Sequence, residues 1–204
     1  MISLLSKSIA IFLLKKEIIT SEDIEICEYG FELMIATVIG LGLVLLSGLI
    51  MGEFILSVVF YVVFVIVRFF TGGYHANTHL KCKLTLILCC NFVLIMTKLL
   101  ICTSNVYTII ALHSVYLFAV LVFSPVENAN APIEADLKRR NRKISIIMAI
   151  TITFTGIIGY YYFMKIIVSE SLTVFVIAYL IIIAKLKGRR IKDNEKSSKE
   201  SFES

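Results

Sequence analysis

Residues Phe54–Lys83 read FILSVVFYVVFVIVRFFTGGYHANTHLKCK. The first part, Phe54–Val67, is an uncharged run rich in Val, Ile and Phe. It is followed at once by Arg68, paired glycines, two of the chain's three histidines and a cysteine between two lysines. Such a junction is that of a membrane helix meeting the headgroup region, with reactive side chains gathered at the interface. The rest of the chain agrees. It has 204 residues, 58% hydrophobic and only 17% charged, where a soluble domain carries about 25% charged residues. A helix rising about 1.5 Å per residue needs roughly 20 residues to cross a ~30 Å hydrocarbon core. Spans are predicted near Phe31–Met51, Phe54–Val67, Leu84–Ile101, Val106–Phe123, Ile144–Ile167 and Leu172–Ala184. The second and last are short, so a reading with four crossings stays open.

The expected fold is therefore all-α, a polytopic membrane protein with about six transmembrane helices. Upstream of them, Ile2, Leu5, Ile9, Phe12 and Leu13 recur at helical spacing around Ser6 and Lys7. That pattern fits an amphipathic helix lying along the interface of the bilayer, and an ordinary packing helix equally well. One domain is expected over residues 1–190. The charged, serine-rich segment 191–204 is expected to be disordered.

Of the 20 basic residues, all but Lys98 and Lys165 fall on one side of this topology. Basic residues in short loops stay inside, which predicts a protein of the cytoplasmic membrane with both termini and the Arg68–Lys83 segment on the cytoplasmic side. Lipid is then the main surrounding partner, and no nucleic acid is expected. The basic run Lys138, Arg139, Arg140, Arg142 and Lys143 closes the largest inner loop. It reads as a topological anchor or as a docking surface for an acidic partner.

The five cysteines show none of the paired spacing of a disulfide framework. Cys27, Cys89, Cys90 and Cys102 are expected to be small apolar fillers. Cys82, flanked by Lys81 and Lys83, differs: cations, a nearby histidine and a helix N-terminus all favour the thiolate. The residue types suit acyl transfer by a cysteine nucleophile. Geometry constrains the base. On one straight helix His75 would stand about 10 Å along the axis from Cys82, whereas His79 would be its neighbour. Either His79 is the base or the chain after Gly72 and Gly73 folds His75 back. The second is favoured because paired glycines allow unusual backbone angles.

Other readings of the same atoms stay open. His75, His79 and Cys82, with Glu32, Glu28 or water, would make a zinc site and hence a membrane zinc hydrolase. A transporter would use Lys98, His113 and Asn91 along a path between spans, although no internal repeat is detectable. The segment also reads as an interfacial loop without chemistry.

Arg68, GGYHA from Gly72 to Ala76, and Cys82 seven residues after His75 resemble the signature of AgrB, the accessory gene regulator B peptidases. The resemblance extends to EYGFEL (Glu28–Leu33) and to SPVENANAPI (Ser124–Ile133) followed by the basic run. It implies a membrane cysteine endopeptidase, without metal or other cofactor, that processes an AgrD-like precursor into a cyclic quorum-sensing peptide, a thiolactone or lactone. By that likeness Cys82 is the nucleophile and His75 its base. The family is also described as forming homodimers. Arg68, Gly72, Gly73, Asn77, His79 and Glu32 are candidate supporting residues, with Glu32 or Asn77 orienting His75. The five cations of the inner run are candidates for holding an acidic precursor tail.

Overall fold

The computed structural model describes residues 2–16, 18–72, 79–126 and 135–202, and gives side chains for these except residues 2, 79–82 and 187–202. It is all-helical: α1 (Ile2–Lys15), α2 (Ile24–Ile50), α3 (Phe54–Thr71), α4 (His79–Leu100), α5 (Val106–Phe123), α6 (Ala135–Gly159) and α7 (Met164–Phe202). Six of these, α2 to α7, are long and apolar enough to cross a membrane. Their outward surface is hydrocarbon: Val38, Leu49, Ile55, Leu88, Phe118 and Ile147 all stand exposed, as lipid rather than water would require. The chain is a multi-pass membrane protein.

Short turns join α2 to α3, α4 to α5 and α6 to α7, so the spans form three hairpins. Their turns lie at one end of the bundle. Glu53, in the first turn, takes Lys165 Nζ at 2.8 Å and faces Lys98 Nζ at 3.9 Å, and Lys98 Nζ also donates to the Met51 carbonyl at 2.6 Å. Tyr160 Oη donates to the Ser104 carbonyl at 2.9 Å. These contacts lace all three turns together. The opposite end, which holds Arg68, Gly72, the start of α4 and the basic start of α6, carries the candidate site.

At the centre stands α7, packed against α3, α4, α5 and α6. Its span is 61% buried, against 17–33% for the other five. On the outside α2 packs on α3 and α4, and α1 packs on α2. Ser6 and Ala10, a helical turn apart, are the buried face of α1, while Leu4, Leu5, Ile11 and Phe12 are exposed. Some hydroxyls inside the bundle return to their own helices, as Thr71 does to the Val67 carbonyl and Thr97 to that of Val93. In an apolar interior that is how a hydroxyl avoids standing unpaired.

Small residues set how closely α2 and α3 approach. A Cβ on Gly48 would collide with the Ser57 side chain, whereas one on Gly42 would meet nothing within 4 Å. Gly48→Ala is therefore expected to destabilise the bundle by about 1–3 kcal/mol. Gly42→Ala should leave the thermal midpoint in detergent unchanged or slightly raised, since alanine is the better helix former. Equal midpoints for the two variants would contradict this packing.

Several boundaries differ from those read in the sequence. The predicted span Ile144–Ile167 runs across a turn at 160–163, where α6 has ended and α7 is about to begin. The run of apolar residues on both sides concealed it. In consequence α7 starts at Met164, well before the predicted Leu172. The basic run, expected in a loop, belongs to α6. The segment after residue 191, expected to be disordered, continues α7 as helix to Phe202; no glycine or proline follows Gly188 to stop it. As predicted, α5 ends just before Pro125, with Ser124 as its C-cap.

Candidate active site

The site end is organised by the exit of α3. Gly72 terminates the helix with φ 68° and ψ −158°, a conformation that side chains with a Cβ rarely adopt. The chain then runs briefly beside the exit of α5: Val126 N donates to the Thr71 carbonyl at 3.0 Å, and Gly72 and Val126 form an isolated parallel bridge. A Cβ on Gly72 would collide with the Val126 carbonyl oxygen. Position 72 is thus restricted to glycine twice, by backbone angle and by space.

Arg68, one turn before this exit, lies with its guanidinium 5.4 Å from the centre of the Phe64 ring, within the range of a cation–π contact. Phe64, Arg68 and Gly72 face Ile177, Leu180 and Ile181 of α7 across a shallow, mostly apolar recess. The structure therefore brings Arg68 and Gly72 together at one recess. Glu32 lies nine residues into α2. Lys138, Arg139, Arg140, Arg142 and Lys143 are exposed along the first turns of α6.

The helix carrying the thiol begins at His79, so His79 is its first residue and Cys82 its fourth. Cys82 accordingly stands on the first turn, where free backbone N–H groups and the helix dipole supply positive potential. The side chains of both lie outside the described residues, as do Gly73, His75 and Asn77 entirely. Among the described residues, no group of three or more His, Cys, Asp or Glu side chains is placed to hold a metal ion. Of the cysteines expected to be fillers, Cys90 is buried and Cys27 and Cys89 half-buried, whereas Cys102 is exposed in the turn before α5.

Two polar residues named in the sequence as crossing a transporter path are otherwise engaged. Asn91 Nδ2 donates to the Ile87 carbonyl of its own helix at 2.9 Å, and Lys98 is part of the turn-end lacing. His113 is fully buried and pairs with α7. Its partner Glu170 went unnoticed in the sequence because the last span was begun two residues too late to include it.

Residues 6–187, nearly the whole chain, match the family model described as Accessory gene regulator B. The chain belongs to the AgrB family. Neither a curated protein nor a solved structure matches it. AgrB membership assigns the chain to accessory gene regulator peptide processing, with an AgrD-like precursor as substrate. The matched region takes in the α3 exit, the first turn of α4 and the basic start of α6, so the AgrB identity covers the whole site end.

Proposed function

We propose that the protein is a cysteine endopeptidase that cleaves the AgrD-like precursor through an acyl-enzyme at Cys82 and releases a cyclic peptide. The observation that carries this reading is the start of α4 at His79, which gives Cys82 the first-turn position where a thiolate is favoured. His75 takes the thiol proton. The sulfur attacks the carbonyl carbon at the cut site, the C–N bond breaks, and His75 returns the proton to the leaving amine of the tail. What remains is a thioester between the peptide and Cys82. A cysteine thiol within the peptide then attacks that carbonyl, gives up its proton to the base, and displaces the Cys82 sulfur as the ring closes. One thioester replaces another, so no ATP is required. A serine in the peptide would close a lactone by the same steps. Water entering before closure would give a linear acid, and a site at the lipid edge keeps water scarce.

The zinc hydrolase reading uses the same side chains and is separated from this one directly. Cleavage of a purified precursor is expected to survive a chelator such as EDTA and to be lost on alkylation of Cys82. The reverse pattern would sink the thiol mechanism.

The basic run of α6 is the proposed seat of the precursor's acidic tail. Five cations are gathered at the end of a helix whose own dipole is already positive there, an arrangement that disfavours cations and draws anions. Exposed ion pairs contribute about 0.2–1 kcal/mol each. Arg139→Gln with Arg140→Gln, which keeps three cations to hold topology, should therefore raise the precursor KM about three- to tenfold and spare kcat. An unchanged KM would reduce the run to an anchor. Precursor binding on the cytoplasmic face, and action as a homodimer, complete the proposal.

A further inference from the structure

Three helices meet at a polar cluster inside the apolar bundle, away from the site end. His113 of α5 is 0% exposed and Glu170 of α7 only 8%. His113 Nε2 lies 3.0 Å from Ser171 Oγ and 3.3 Å from Glu170 Oε2. Ser171 donates its own hydrogen to the Ile167 carbonyl at 2.7 Å, so only its lone pairs face the imidazole and Nε2 must be the protonated nitrogen. The third side is closed by Gly156 of α6, where a Cβ would fall 2.7 Å from Nε2 and 3.3 Å from Glu170 Oε2. A side chain there would enter the cluster. Among the described residues, the Tyr116 hydroxyl one turn along α5, His113 Nδ1 and Glu170 Oε2 have no hydrogen-bond partner, so Glu170 meets the imidazole by proximity of charge and dipole and Ser171 by a hydrogen bond.

Apolar helix faces in lipid have little to fix their register, because lipid tails are as hydrophobic as leucine. A polar pair does fix it. A slip of α7 by one turn, about 5.4 Å, would pull Glu170 and Ser171 away from His113 and leave the imidazole and the carboxylate unpaired at membrane depth, while Ser171 keeps its bond to the Ile167 carbonyl of its own helix. The same slip would carry Ile177, Leu180 and Ile181, which follow Ser171 by roughly 9–15 Å along the helix, past Phe64, Arg68 and Gly72. The recess would be remade.

We infer that His113, Glu170 and Ser171 are positioning residues that lock the register of α7 and so set the α7 wall of the recess beside Arg68 and Gly72. The part the recess plays in cleavage rests on the peptidase reading; the register lock does not. The test keeps the two apart. Register is read without substrate, as cross-linking by a bis-maleimide between Arg68→Cys and Leu180→Cys, both partly exposed at the recess, in a chain with its native cysteines replaced by alanine. Cleavage is read separately in a chain with native cysteines.

His113→Leu is expected to lower the cross-link yield at least fivefold and to raise the precursor KM about tenfold. His113→Gln, whose amide can still donate to Ser171, should restore both to within about twofold, which a loss of packing alone would not do. Should His113→Leu fail to accumulate in the membrane, Ser171→Ala and Gly156→Ala carry the same two readouts. Wild-type cross-linking in these variants would overturn the register lock. Reduced cross-linking with unaltered cleavage would overturn the positioning role while leaving the peptidase reading standing.

Discussion

Cys82→Ala is expected to abolish release of the precursor tail, by at least about 10³-fold, because the acyl-enzyme cannot form without the sulfur. The histidine variants then decide the geometry. His75→Ala should cost about 10²–10⁴-fold as loss of the general base, whereas His79→Ala should leave the rate within a few fold. On one straight helix His75 would stand about 10 Å along the axis from Cys82 and His79 would be its neighbour, so the two variants separate the geometries. If His79 alone proves essential, the base is the first residue of α4 and the carried-over role of His75 is wrong. Mass spectrometry of a tagged precursor co-expressed with each variant gives the answer. Cleavage persisting in Cys82→Ala would remove the thiol mechanism entirely.

The second large effect is expected at Gly72. Gly72→Ala forces a Cβ into a backbone with φ 68° and against the Val126 carbonyl. Strain of this kind costs about 1–3 kcal/mol, and the alternative is for the α3 exit to part from the α5 exit. Either way the segment that leads from Gly72 to Cys82 is displaced. Cleavage is expected to fall at least tenfold, with only a modest drop in thermal midpoint, because the clash is confined to Val126 at the edge of the core. Gly30→Ala is the control, since a Cβ there meets nothing within 4 Å. A Gly72→Ala variant as active as Gly30→Ala would mean that the α3 exit does not govern the site.

Much of the fold was legible because lipid makes it so. A run such as Phe54–Val67 has one stable fate, and proline after Ser124 ended α5 where the sequence placed its end. What composition could not show was a turn between two apolar stretches. Tyr160 to Phe163 hold no charge, glycine or proline, so the span was carried through them to Ile167. That single error placed Glu170 outside the membrane and hid its pairing with His113. The recess was equally hidden: Arg68 and Gly72 stand out in the sequence, but Ile177, Leu180 and Ile181 are distinguishable from lipid-facing residues only by packing. Cys82 stands out in the sequence as a polar-flanked thiol amid hydrocarbon, but the span that follows it was begun at Leu84, five residues after α4 starts at His79.

The ties among Glu53, Lys98 and Lys165, and between Tyr160 and Ser104, give the bundle the mechanics of a pair of tongs. Fastened where the three turns meet, the spans are joined at their other ends, among the described residues, by little more than the tie between Thr71 and Val126, and each 18-residue span is a lever about 27 Å long. A tilt of about 5° at the fastened end moves the tip by roughly 2 Å, the scale on which a cleft between helices admits or refuses a peptide backbone. Contacts far from the site end thus fix the angle at which the spans leave the turns, and with it how closely their other ends approach.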